Sequence, residues 1–250
     1  MSKDFEGNNG TAKVTTAGAQ YPLLRSQKSN LNFSAAWQDK KLVNKRADGD
    51  ERYSVSSLPL TLQFDHRDGL GGGAVSYGAL SWTLGDLDKA NAQESGRFDK
   101  FNLDLVRLQT LPVKNLSLYT RLSSQWAEKN LDSAESFGLG GATGVRAYPT
   151  GEASGDVGAL AQIELRFAWA GLAPYAFYDY GRVKVDAEPG LVSSPSPDKV
   201  RAGAGIGVRF AQGRLTTDVA LAWRSRGGAP EAVPGRDPKP RLWMTAGLRF

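Results

Sequence analysis

The sequence predicts an all-β fold, a transmembrane antiparallel β-barrel. Three observations predict it. Apolar and polar residues alternate along most of the chain, the alternating segments are long, and the connections between them are tight and long by turns.

The alternation is clearest from Val157 to Trp169. Val157, Ala159, Ala161, Ile163, Leu165, Phe167 and Trp169 share one face, while Gly158, Gln162, Glu164 and Arg166 share the other. Val200 to Phe210 repeats the pattern, with Arg201, Gly203, Gly205, Gly207 and Arg209 opposite the apolar row. Leu215 to Trp223 and Leu242 to Phe250 follow it, as do 31–38, 58–65 and 116–125. The stretches 11–24, 72–85 and 97–110 are strand-like with less regular alternation, and 173–185 also reads as a strand. About eleven strands result, typically of 10–14 residues. Soluble strands run about 5–6 residues. A strand crossing a bilayer needs about 9–11.

One apolar face and one polar, glycine-rich face is the arrangement of a wall with lipid outside and a wet lumen inside. Trp37, Trp126, Trp169 and Trp223 lie near strand ends, where an interfacial girdle places aromatic residues. Ala211 to Arg214 is a tight turn, whereas 186–199 and 225–240 are long and rich in Pro, Ser and Gly. Short periplasmic turns and long external loops give that asymmetry. A soluble β-sandwich would have shorter strands, without arginines opposite clean apolar rows. Lipid forces a barrel to close. Single-chain bacterial barrels have even strand counts, so about eleven strands imply more upstream. The start, Met1 to Glu6, has no apolar core of a secretory signal. Residues 1–250 are therefore expected to be the C-terminal part of a barrel domain, beginning inside a longer chain.

Composition removes other classes. With no cysteine there is no disulfide, thiolate metal site or cysteine nucleophile. The net charge of +5, from 31 basic and 26 acidic residues, is scattered and leaves no nucleic-acid patch. No stretch approaches the ~20 apolar residues of a membrane-spanning helix. His66, the single histidine, sits at a strand end and supports neither a triad nor a zinc site. The run Gly203 to Gly207 lies inside a strand with no helix after it, so it fails as a phosphate loop. No catalytic residue, metal ligand or cofactor site is assigned. Glu164 and Arg166 read as a charge pair on the inner wall.

Residues 131–156 break the alternation. Loops beyond ~12–15 residues without structure of their own usually have a role. Arg146 stands among small and apolar residues, and a loop folded inward must give it a carboxylate or carbonyl partner.

Ser136-Phe-Gly-Leu-Gly-Gly141, Gly144-Val-Arg-Ala-Tyr148, Gly155-Asp-Val-Gly158 and Glu164-Leu-Arg166 resemble the signature of two-partner secretion transporters. These are the TpsB, or haemolysin secretion/activation, proteins, whose superfamily also includes the barrel-assembly factor. The resemblance implies a sixteen-stranded outer-membrane barrel with a long loop, 131–156 here, folded into the lumen. Gly140, Gly141, Gly144, Val145, Arg146, Ala147 and Tyr148 would form its gating motif. Phe177, Asp179 and Gly181 would form the inner-wall partner motif, with Arg146 paired to Asp179. Period two puts those three on one face and turns Ala176, Tyr178 and Tyr180 to lipid. Where the family has glycine, this chain has Ala147; a positive φ there would strain it by about a kcal/mol or more. Tyr21 to Arg25 resembles a strand end common in these transporters, and Phe250 resembles the terminal aromatic read by the outer-membrane assembly machinery.

The implied function is a protein-conducting channel of the bacterial outer membrane that exports an unfolded, haemolysin- or adhesin-like exoprotein. It needs no cofactor and is not an enzyme. The implied partners are that exoprotein, outer-membrane lipid and, during insertion, the barrel-assembly machinery. The family's signal peptide and POTRA domains are absent from this stretch. A barrel-assembly factor of the same superfamily and a passive porin are the alternatives.

Overall fold

A computed structural model describes residues 9–46, 49–89, 95–191, 197–233, 235 and 237–249. Eleven strands form one antiparallel sheet among these residues. In chain order they are β1 (Asn9–Arg25), β2 (Ser29–Arg46), β3 (Gly49–Asp68), β4 (Ala74–Asp88), β5 (Gly96–Thr110) and β6 (Leu116–Ala127). Two short strands, β7 (Phe137–Gly138) and β8 (Ser154–Gly155), pair with each other in the connection after β6. The sheet resumes with β9 (Val157–Phe167), β10 (Leu172–Lys184), β11 (Lys199–Gln212), β12 (Leu215–Arg226) and β13 (Arg241–Leu248). Every long strand pairs with its sequence neighbour, and β6 pairs with β9.

The strands at the start exceed the expected length. β2 and β3 run 18 and 20 residues, and their ladder continues from Gln38↔Ser57 to Lys45↔Asp50. There the outward face turns polar, with Asp39, Lys41, Arg52, Ser54 and Ser56, while Tyr53 and Val55 on the inner face are buried in one cluster with Leu87, Phe98 and Leu131. Beyond the lipid the outer face needs no apolar row, so pairing persists where that row ends. At the other extreme β13 ends at Leu248, and Phe250 lies outside the described residues.

The burial pattern is inverted relative to a soluble domain. On β9, Leu160, Gln162 and Glu164 are buried while Ile163 and Leu165 are 44% and 45% exposed. On β10, Tyr175, Phe177 and Asp179 are buried, and Ala176, Tyr178 and Tyr180 face out. Leu242 and Met244 continue the outer apolar row on β13. Trp82, Phe101 and Trp126 form an aromatic row across β4, β5 and β6, with ring centroids 5.7 and 5.9 Å apart. An exposed apolar belt with polar residues behind it is what a membrane barrel wall requires.

The sheet curls around the 128–156 connection. Glu135 reaches Lys40 on β2, and Arg146 reaches Trp243 on β13. Those strands are nine ladder spacings apart, roughly 43 Å if flat at ~4.8 Å per strand. The eleven residues from Glu135 to Arg146 span at most ~40 Å fully extended, and they are folded. Only a curved sheet brings both strands within reach.

Candidate functional site

The 128–156 connection is a hairpin rather than a loose loop. Below the β7–β8 pair, Leu139 donates its amide to Ala153 at 3.0 Å, Gly140 to Glu152 at 3.0 Å, and Gly141 to Tyr148 at 3.1 Å. Val145 N–H closes the tip on the Leu139 carbonyl at 2.7 Å. Glycine is required where these strands cross. A Cβ on Gly144 would collide with the Leu139 carbonyl oxygen, and one on Gly140 with that of Pro149.

Residues 144–149 are all buried against the inner wall. Asp179 accepts three hydrogen bonds from Arg146: the backbone amide at 3.0 Å, Nε at 2.9 Å and Nη2 at 2.7 Å. Glu164 on β9 accepts the remaining arm, Nη1, at 2.5 Å. The guanidinium lies over the Phe177 ring, 3.5 Å from its centroid. This is fork recognition with an aromatic platform, available to arginine and not to lysine. Gln162 donates to Asp179 at 3.3 Å and to the Gly144 carbonyl at 2.9 Å. Trp243 donates to the Arg146 carbonyl at 2.6 Å.

The three residues singled out on β10 thus have separate tasks. Phe177 supplies the ring and Asp179 the carboxylate. Gly181 leaves room for Leu139, whose side chain a Cβ there would meet. Val145, Ala147 and Tyr148 pack with Leu160, Tyr175, Phe177, Ala220 and Ala222. Ala147 is not among the positive-φ residues, so the strain anticipated for it does not arise. Its methyl fills the space that Gly203 on β11 leaves open.

Two further anchors hold the hairpin. Glu152 is fully buried and meets Arg201 on β11 at 2.7 Å. It also accepts the backbone amides of Glu231 and Ala232 at 2.9 Å each. The Tyr148 hydroxyl lies 2.8 Å from the Arg226 carbonyl and 3.0 Å from that of Gly228. The hairpin and residues 226–232, at the end of β12 and just beyond it, are therefore packed together. On the opposite wall, Asp132 accepts from Tyr53 at 3.2 Å and Lys89 at 3.0 Å. Glu135 meets Lys40 at 2.5 Å and Lys100 at 2.8 Å. Burial raises the Glu135 carboxyl, but the charges of Lys100 and Lys40 outweigh it and hold it below the ordinary carboxylate value.

Several of these residues had no sequence signal. Glu164 stood out as a wall partner of Arg166, which it also contacts at 2.7 Å, and as part of the Glu164-Leu-Arg166 signature, but not as a partner of Arg146. Glu152, Asp132, Glu135 and Trp243 take their roles from contacts distant in sequence. His66 is exposed and bonded to Ser29 at 2.7 Å. No cluster of potential metal ligands occurs among the described residues.

The haemolysin secretion/activation protein family ShlB/FhaC/HecB matches residues 4–210. The chain belongs to this family. The heme/hemopexin transporter protein HuxB of Haemophilus influenzae is 27% identical over 198 residues, 72% of this chain and 35% of HuxB. HuxB of a second strain is 28% identical over 176 residues, 64% of this chain and 31% of that protein. The chain thus spans about a third of the length of the curated relatives it matches. CdiB from Escherichia coli superposes with a TM-score of 0.78 at 17% identity, covering 95% of this chain and 45% of CdiB. CdiB from Acinetobacter baumannii gives 0.74 at 18%, covering 95% and 41%. These likenesses establish the fold, a ShlB-type barrel wall. A ShlB-family chain with these outward apolar rows resides in the bacterial outer membrane.

Proposed function

We propose that this chain is the C-terminal part of the pore of a two-partner secretion transporter, exporting an unfolded partner exoprotein. Its role is conduction rather than catalysis. The observation that carries the reading is the hairpin seated against the inner face of the curled sheet by Arg146, Asp179 and Glu164. A plug with a discrete polar latch is the form a gate takes when it must leave and return.

The strand directions support closure by more strands. β1 and β13 both run from the long-loop end to the short-turn end, so pairing them directly would be parallel. An odd number of strands between them restores an antiparallel ladder throughout, and five give sixteen. Outer-membrane lipid covers the outward rows, and the barrel-assembly machinery inserts the strands with Phe250 as terminal signal. Capture of the partner falls to periplasmic domains outside this stretch. By analogy with HuxB, a haem- or hemopexin-handling exoprotein is one partner class to try first.

The test is secretion by the complete transporter carrying Arg146→Ala, co-expressed with its partner. Exoprotein in the medium should fall sharply while barrel abundance in the outer membrane holds. Undiminished secretion would overturn the latch. General loss of outer-membrane proteins on depletion, instead of one lost exoprotein, would make the protein an assembly factor.

A further inference from the structure

The receptor for the Arg146 guanidinium belongs to the wall and not to the hairpin. Asp179 and Phe177 sit on β10, and Glu164 and Gln162 on β9, in an uninterrupted ladder pairing Phe177↔Glu164 and Asp179↔Gln162. Other wall residues hold the carboxylates in place: Arg166 and Arg209 donate to Glu164 at 2.8 and 3.1 Å, and Gln162 donates to Asp179. The receptor therefore keeps its shape when the hairpin leaves. It then presents an aromatic face and two carboxylates with one cation missing. A polar cavity of about 190 Å³ adjoins it, lined by Tyr119, Arg121, Arg166, Arg209 and Asp218 together with the hairpin tip.

We infer that this preformed receptor is a binding site for arginine side chains of the polypeptide in transit, which replace Arg146 on Asp179, Glu164 and Phe177. This rests on the secretion reading, because it requires a chain passing the wall after the hairpin has moved. The exchange is guanidinium for guanidinium, so the buried carboxylates stay neutralised as the gate opens. An emptied receptor would hold Asp179 facing the lumen without a counter-charge, which opposes opening. Arginine fits better than lysine because the seat uses two carboxylates in fork geometry and stacks the planar group on a ring. Neutral citrulline keeps the shape and loses the charge.

The experiment uses the complete transporter with Arg146→Ala in a planar bilayer. Three unstructured peptides differing only in arginine, lysine or citrulline are added on the periplasmic side, and block dwell times are recorded. The arginine peptide should dwell about tenfold longer than the citrulline peptide, the scale of one desolvated cation–π and ion-pair contact. Lysine should fall between them. Adding Phe177→Leu should narrow the gap between arginine and lysine, and adding Asp179→Asn should abolish the preference for charge. Equal dwell times for arginine and citrulline peptides that do block would overturn the receptor and leave the pore reading standing. A conducting barrel that no peptide blocks would overturn the pore reading, and the receptor with it.

Discussion

The carboxylate of Glu152 is sealed from solvent against Arg201, 2.7 Å away, and its other oxygen accepts two backbone amides from the 227–240 connection. One side chain therefore ties the hairpin both to the wall and to a neighbouring loop. Glu152→Ala leaves Arg201 with the exposed Glu231 as its one carboxylate and strands two amides. Removing one partner of a buried pair costs about 3–5 kcal/mol. The expected result is a lower unfolding midpoint and faster proteolysis within 227–240. Glu152→Gln, which still accepts hydrogen bonds, should lose less. Unchanged protease resistance in the alanine variant would show that the two loops are held by something else.

Ala147 and Gly203 form a size-matched contact across the hairpin and β11. Gly203→Ala would drive a methyl into Ala147 and against the Trp223 carbonyl. It should destabilise by about 1–3 kcal/mol, the range for overpacking. Ala147→Gly restores the family's residue but removes a buried methyl where φ gives glycine no advantage. It should cost about 1 kcal/mol, partly through the freer unfolded chain. Denaturant midpoints of the two variants test this, and a stabilised Ala147→Gly would refute it.

The wall was legible because lipid imposes a pattern that a linear sequence displays. Ile163, Leu165 and Tyr178 alternate with Gln162, Glu164 and Asp179 at period two, and the strand register follows. Where lipid ends, that signal ends. In the outer half of the β2–β3 hairpin the outward residues Asp39, Lys41, Arg52, Ser54 and Ser56 are polar, so the apolar row that marks the neighbouring strand segments stops there although the ladder continues. The latch was half legible. Arg146 amid small residues calls for an anion, but which one was suggested by resemblance alone. The choice of Glu164 as second acceptor depends on the β9–β10 register. Glu135 and Lys40, 95 residues apart, meet only because the sheet curls, and no local pattern encodes curvature.

Glu135 gives the hairpin base a pH dependence of known sign. Its folded value lies below the ordinary 4.5, so the unfolded chain takes up its proton first as pH falls. The stabilisation is complete above about 4.5 and is lost as pH drops through the lower folded value. Asp132, Lys89 and Tyr53 face the same corner. This stretch contains no cysteine, so Ser133→Cys offers a unique exposed label beside the anchor. Spin-label mobility should hold steady from neutral pH to about 5 and rise only at lower pH. Release between pH 7 and 5 would assign control to another group.

The outward rows make a separate prediction about lipid. Ile163 is exposed in mid-strand on β9. Ile163→Lys should destabilise the barrel by about 2–4 kcal/mol in a bilayer, the penalty for a cation near the mid-plane of a barrel wall. A negligible effect, measured by folding into vesicles, would mean that this face does not meet hydrocarbon.

Arg146 and Asp179 should be strongly non-additive. Either single alanine substitution leaves a buried charge short of its partner and costs about 3–5 kcal/mol. Arg146→Ala leaves Asp179 with the backbone amide of residue 146 and Gln162 but no cation, while Asp179→Ala leaves the Arg146 guanidinium with Glu164 as its one carboxylate. Removing both takes away the stranded charge, so the double variant should be little worse than either single one. Glu164→Gln should be milder for the tip. Each arginine it serves keeps another contact: Arg146 has Asp179, Arg209 has Asp218 at 2.8 Å, and Arg166 lies over the Tyr119 ring at 4.0 Å. A cycle read by denaturant midpoints distinguishes the two cases. If the single losses simply added in the double variant, Arg146 and Asp179 would be acting independently, and the hairpin would be held mainly by Glu152 and the packing of Tyr148.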